Sequence, residues 1–79
     1  EGRIDAATAE ATLRGRYGRM LARRDRDSMA WVGWVEAVAL LGLERLRPLA
    51  QEVFRRGAIS RMFMERRHFE QDLREGIAA

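Results

Sequence analysis

The 79-residue chain has no cysteine, which removes disulfide staples, thiolate metal sites and thiol nucleophiles together. Histidine is nearly as scarce: His68 is the single imidazole, so a His-rich metal site is excluded and no cofactor is expected. Lysine and asparagine are absent too, and all 15 basic residues are arginine. Apolar runs are short. None approaches the roughly 20 residues of a membrane span, and Glu36 interrupts the longest, so no membrane partner is expected. The missing thiols fit a reducing, cytoplasmic setting. The sequence opens at Glu1 with no initiator methionine and no signal-peptide pattern, and it reads as a piece of a longer chain. A domain of this size buries only about 60% of the surface its unfolded chain exposes, so its core is marginal and a neighbour is expected to complete it.

The charge is less informative than it looks. A pI near 10.9 accompanies a net charge of only +3, because arginine is almost untitratable. Arginine without lysine or asparagine is what GC-rich codons produce with no selection for arginine chemistry. Acids and arginines balance along most of the chain; the window from Arg14 to Arg26 is lopsided, with 6 arginines against Asp25.

What is present is helical punctuation. Asp5 is placed to cap a helix over 6–23, with Ala9, Leu13, Tyr17, Met20 and Leu21 on one stripe. A polar loop, 23–27, leads to Asp27 or Ser28 as the next cap. The helix that follows is apolar nearly all round and runs to Leu41, with Gly42 as a left-handed stop and Leu43 closing a Schellman contact. A helix this apolar must be covered on more than one side. The third helix covers 44–56, with Pro48 in its first turn, a stripe of Leu46, Leu49, Ala50 and Val53, Phe54 alongside, and Gly57 as its stop. Ser60 caps a turn through Met62, Phe63 and Met64, and a last helix over 65–75 turns Phe69 and Leu73 inward. No strand pattern occurs.

Gly2-Arg3-Ile4-Asp5 and Gly57-Ala58-Ile59-Ser60 share the form Gly-x-Ile-cap. In a repeat, the glycine ends one helix, the isoleucine staples the loop and the polar residue starts the next. Coincidence in a four-residue pattern explains the match equally well.

The first helix has three faces. Opposite Leu13 and Tyr17 lie Ala11, Gly15, Gly18 and Ala22; beside them lie Arg16, Arg19, Arg23 and, if the helix reaches it, Arg26. Two interior glycines cost about 1 kcal/mol each relative to alanine. Either another backbone approaches there, or the helix is simply exposed and weakened. The arginine forks can grip carboxylate or phosphate, or can form a solvated face; Arg16, Arg19 and Arg23 are the candidate partner-binding cations. On the second helix, Trp31 groups with Val32, Val35, Val38 and Ala39, whereas Trp34 groups with Ala30, Ala37 and Leu41. Both tryptophans are expected in the core facing different neighbours, and Trp34 becomes a fourth candidate partner-binding residue if its neighbour is missing. Met29, Gly33, Glu36 and Leu40 form the narrow remaining face.

Catalytic signals are missing. Glu36 has no second acid or base near it, His68 reads as a surface residue, the four methionines as adaptable packing, and Ser28 and Ser60 as caps. Local ion pairs are expected between Glu10 and Arg14 and between Glu52 and Arg55 or Arg56.

The run Leu41-Gly42-Leu43-Glu44-Arg45-Leu46-Arg47-Pro48-Leu49, then Val53-Phe54-Arg55-Arg56-Gly57-Ala58-Ile59 and a closing Phe69-Glu70-Gln71-Asp72-Leu73, resembles an uncharacterised bacterial family of HEAT-like helical-repeat proteins. Some members of that family carry a C-terminal Cys-rich SEC-C motif, of which this cysteine-free chain has nothing. The resemblance implies a superhelical stack of paired helices without established catalytic residues.

The combined expectation is an all-α fold of three to four helices packed as antiparallel hairpins, a HEAT-like α-α superhelix fragment forming one domain over 1–79. Its work is non-catalytic: binding a protein partner or flanking repeats of its own chain, with self-association as a further outcome. The rival reading is an arginine-dependent module for nucleic acid or an acidic ligand, the nucleic-acid form being weakened by the lack of a recognised motif. A second rival is an enzyme fragment completed by missing segments.

Overall fold

The computed structural model describes residues 5–23 and 27–78. Gly2, Arg3 and Ile4 of the first Gly-x-Ile-cap pattern, and Arg24, Asp25 and Arg26 of the expected polar loop, lie outside the described residues. Four helices follow one another: α1 (Ala6–Ala22), α2 (Ser28–Leu40), α3 (Arg47–Arg55) and α4 (Arg66–Ala78), with a 3-10 turn at Glu44–Leu46 leading into α3. No strand occurs among the described residues, so the fold is all-α.

The helix ends obey local chemistry. Asp5 stands at the start of α1 with extended backbone, but its side chain makes no cap hydrogen bond; the Thr8 hydroxyl donates to its carboxylate at 3.5 Å instead. Asp27, not Ser28, caps α2, its Oδ1 accepting from the Met29 N–H at 3.0 Å, an arrangement that stabilises by about 1 kcal/mol. Ser28 is already helical, and its hydroxyl donates to the Ala58 carbonyl at 3.0 Å, pinning the start of α2 to the loop after α3. At the other end Gly42 takes φ +64°, the Leu43 N–H reaches the Val38 carbonyl and the Gly42 N–H reaches that of Ala39. These are the two bonds of a Schellman motif. Gly57 repeats it at the end of α3, with φ +73°, Ala58 N–H to Val53 carbonyl and Gly57 N–H to Phe54 carbonyl. Ile59 after it is buried, as the staple reading expects. Ser60 caps a turn, its Oγ accepting from the Met62 N–H.

Contacts fix the helix directions. Trp34 meets Leu13 and Trp31 meets Tyr17, so α1 and α2 run antiparallel. Arg47, Gln51 and Phe54, spread along α3, all meet Phe69 and Glu70 of α4, so these two helices cross at one place and do not lie side by side. The end of α2 lies by Gly76, near the end of α4, and the two helices pack along their lengths, which makes them parallel neighbours. Each of the other three helices packs on α2.

That arrangement accounts for the apolar helix. Trp31, Val32, Trp34, Val35, Val38 and Ala39 are buried, while Met29, Gly33, Glu36 and Leu40 form the narrow exposed strip that the spacing predicts. Both tryptophans are buried, but they do not face opposite neighbours. Residues three apart on a helix differ by only about 60° in direction, and the rings lie 6.4 Å apart, both against Tyr17 at 5.6 and 5.1 Å. Leu41, expected beside Trp34, is exposed because it follows the last full turn. Phe69 and Leu73 are buried as expected; Met29 and Met62, expected as packing, are exposed.

The helix α4 runs past its expected end, and Gly76 explains how. A Cβ on Gly76 would fall 1.9 Å from the Ala39 carbonyl oxygen, and a Cβ on Gly42 would fall 2.8 Å from the Gly76 oxygen. The two glycines let the C-terminal turns of α2 and α4 touch backbone to backbone.

Candidate functional site

The outward face of α1 carries three of the four candidate residues. Its inward stripe, Ala9, Leu13, Tyr17 and Met20, is buried against the rest of the chain. Turning the helix away from that stripe exposes Ala11, Thr12, Gly15, Arg16, Gly18, Arg19, Ala22 and Arg23. Arg16, Arg19 and Arg23 share one edge at helical spacing. Neither Arg16 nor Arg19 has a carboxylate within ion-pair distance among the described residues, and the Arg19 guanidinium folds back to 3.4 Å from the position of a Cβ on Gly15. A Cβ on Gly18 would meet nothing within 4 Å. The close backbone approach that would justify these glycines therefore does not come from the described part of this chain.

Five other arginines, Arg14, Arg47, Arg55, Arg66 and Arg67, are engaged by carboxylates. Arg14 pairs with Glu10 at 3.0 Å and Arg55 with Glu52, the two i,i+3 and i,i+4 contacts that the spacing predicts. The strongest cross-helix cluster joins residues far apart in sequence. Glu70 accepts from Gln51 at 3.1 Å and from Arg47 at 2.6 Å, with Arg66 at 3.9 Å. Partial burial would raise the Glu70 pKa, but the hydrogen bonds from Gln51 and Arg47 and the charges of Arg47 and Arg66 outweigh it and hold the carboxyl below its ordinary 4.5.

Trp34, the fourth candidate, is not on a surface. It is 3% exposed, and its indole N–H donates to the Leu13 carbonyl at 2.8 Å. The second lone pair of a mid-helix carbonyl is a ready acceptor, and using it satisfies a buried donor that would otherwise cost about 1–3 kcal/mol. The condition for treating Trp34 as a partner contact, a missing neighbour, is not met: α1 is that neighbour.

His68 and Glu36 are exposed. Among the described residues, no group of three or more His, Cys, Asp or Glu side chains is placed to hold a metal ion, and no helix is long and apolar enough to cross a membrane. Sequence reasoning missed a concave site, a groove of about 540 Å³ where the end of α3, the loop after it and the start of α4 meet, lined by Phe54, Ile59, Met64, Arg55, Arg61 and Arg66 among others. Its residues are spread over three segments with no shared period, so no local pattern announces it. Leu40, Leu41 and Ile77 are exposed where α2 and α4 finish. No protein-family model, curated protein or solved structure matches the chain.

Proposed function

We propose that this chain is a non-catalytic helical interaction module that binds an acidic protein surface through the outward face of α1. The observation that carries the reading is the pair Arg16 and Arg19, exposed and without a carboxylate partner among the described residues, beside a face with no side-chain bulk at Gly18. Guanidinium forks take carboxylates bidentately, and a face of Gly and Ala lets a partner backbone come close enough for them to reach. The three faces of α1 are thereby given roles: Arg16, Arg19 and Arg23 bind, Gly15 and Gly18 admit, and Leu13 and Tyr17 hold the helix in place.

The HEAT-like reading is part of the proposal. It is supported by the antiparallel α1–α2 pair and by α2 and α4 lying side by side in the same sense, as alternate helices of an α-α stack do. Exposed Leu40, Leu41 and Ile77 support a contact with flanking repeats or a second copy at that end. A bacterial source fits the resemblance, and a cytoplasmic setting fits the missing cysteine.

The test is affinity capture from a bacterial lysate with the wild type and with a variant carrying Arg16→Gln and Arg19→Gln, followed by binding measurements on whichever acidic protein is retained. Loss of at least about tenfold in affinity on substitution, with unchanged thermal stability, supports the reading. Equal retention by both forms sinks it, and steeply salt-dependent binding of a mixed-sequence oligonucleotide moves it to nucleic acid.

A further inference from the structure

The groove at the α3–α4 junction is separate from the α1 face and has a different composition. Its floor is apolar: Ile59 and Met64 are buried beneath it and Phe54 is half-buried, held by its ring contact with Phe69 at 5.8 Å. Its rim is cationic, with four arginines against one acid, Glu65. Arg55 and Arg67 are occupied by Glu52 and Glu65. Arg61 is exposed with no ion-pair partner among the described residues. Arg66 reaches Glu70 only at 3.9 Å, because Arg47 and Gln51 already hold that carboxylate more closely. Two guanidinium forks with spare donors thus border an apolar hollow of about 540 Å³, within the size range of ligand-binding clefts. Met62 and Phe63, 92% and 57% exposed, extend the apolar surface along the adjoining loop.

We propose that this groove binds an acidic segment of a partner protein, one apolar side chain of the segment entering between Phe54, Ile59 and Met64 while flanking carboxylates engage Arg61 and Arg66. Charge complementarity selects the acidic flanks. The floor selects the anchor, and a thioether such as Met64 adapts to its shape. A nucleic acid fits less well, since Phe54 is the one aromatic side chain in the lining and successive bases need more than one stacking platform. The proposal does not depend on the α1 face.

The experiment is a titration of the 15N-labelled chain, observed by amide NMR, with a synthetic acidic dodecapeptide of Asp and Glu carrying one central Phe. A second peptide has Phe replaced by Ser, and a third probe is a twelve-nucleotide oligothymidine. Expected are shifts centred on the Gly57, Ile59 and Met64 amides, at least about tenfold weaker binding of the Ser peptide from loss of one buried aromatic side chain, and roughly fivefold weaker binding after Arg61→Gln. Arg61 is exposed, so that variant is expected to keep the wild-type melting temperature. Equal binding of the Phe and Ser peptides overturns the proposal. So do shifts confined to Arg16 and Arg19, oligothymidine occupying the groove more tightly than the Phe peptide, or no shift at millimolar peptide.

Discussion

Replacing Gly76 by alanine and replacing Gly18 by alanine are the same chemical change within helices, and the structure assigns them opposite signs. Helix propensity alone favours alanine by about 1 kcal/mol at each site. At Gly18 nothing lies within 4 Å of the new methyl, so Gly18→Ala gains about 0.5–1 kcal/mol. At Gly76 the methyl would sit 1.9 Å from the Ala39 carbonyl oxygen, about 1.4 Å inside an ordinary carbon–oxygen contact. No flexible side chain can yield there: the obstructing atoms are backbone at the end of α2, held by the Schellman bonds of Gly42 and Leu43. Overpacking typically costs about 1–3 kcal/mol, and a clash with fixed backbone belongs at the upper end. After the propensity gain the net loss is about 2 kcal/mol, or about 10 °C in melting temperature for a domain this small. Urea unfolding followed by the fluorescence of Trp31 and Trp34 reads both variants. A Gly76→Ala midpoint at or above wild type, with unchanged slope, refutes the close packing of α2 on α4.

Three other substitutions have outcomes that follow from named contacts. Glu70 has a pKa below 4.5 when folded, so its contribution to stability is complete above the unfolded value and is lost as pH falls from about 4.5 through the lower folded one; thermal melts over that range should show a steeper acid loss for wild type than for Glu70→Gln. That variant should also lose about 1–2 kcal/mol at neutral pH. Trp34→Phe removes the donor to Leu13 and part of the ring packed on Tyr17, and should lower stability by about 1–2 kcal/mol in chemical denaturation. Gly42→Ala forces a side chain into φ +64° against the Gly76 backbone, and its melting temperature should fall by at least about 8 °C.

The legible parts of the fold were those written in short-range chemistry. Gly42 and Gly57 mark helix ends because a left-handed residue after an apolar stripe has few other uses, and Phe69 and Leu73 declare their face by spacing. The tryptophans were legible as core but not in direction, since assigning them to opposite sides overlooks that positions three apart lie on adjacent faces. Gly15 and Gly18 drew the argument for close approach; Gly76, near the end of the last helical stripe, meets it inside the chain. The distinction depends on where α4 lies against α2, which no local pattern encodes. Of the candidate site residues, Arg16, Arg19 and Arg23 were readable as an exposed stripe, whereas the Glu70 cluster and the groove are made where α3 crosses the start of α4.

Because α1, α3 and α4 each cover a different side of α2, the molecule cannot be split into two hairpins that keep their cores. Native-state hydrogen exchange should therefore find the amides of Trp31, Val35 and Val38 exchanging only when the whole chain opens, while the exposed first turn of α1 opens on its own. A protease working on the native protein is left with the helix junctions, and a nick between α2 and α3 would release no stable half. The single strip where α2 meets solvent, Met29, Gly33, Glu36 and Leu40, is accordingly the line along which that helix can change residue by residue while the remaining surface of it stays fixed by its three neighbours.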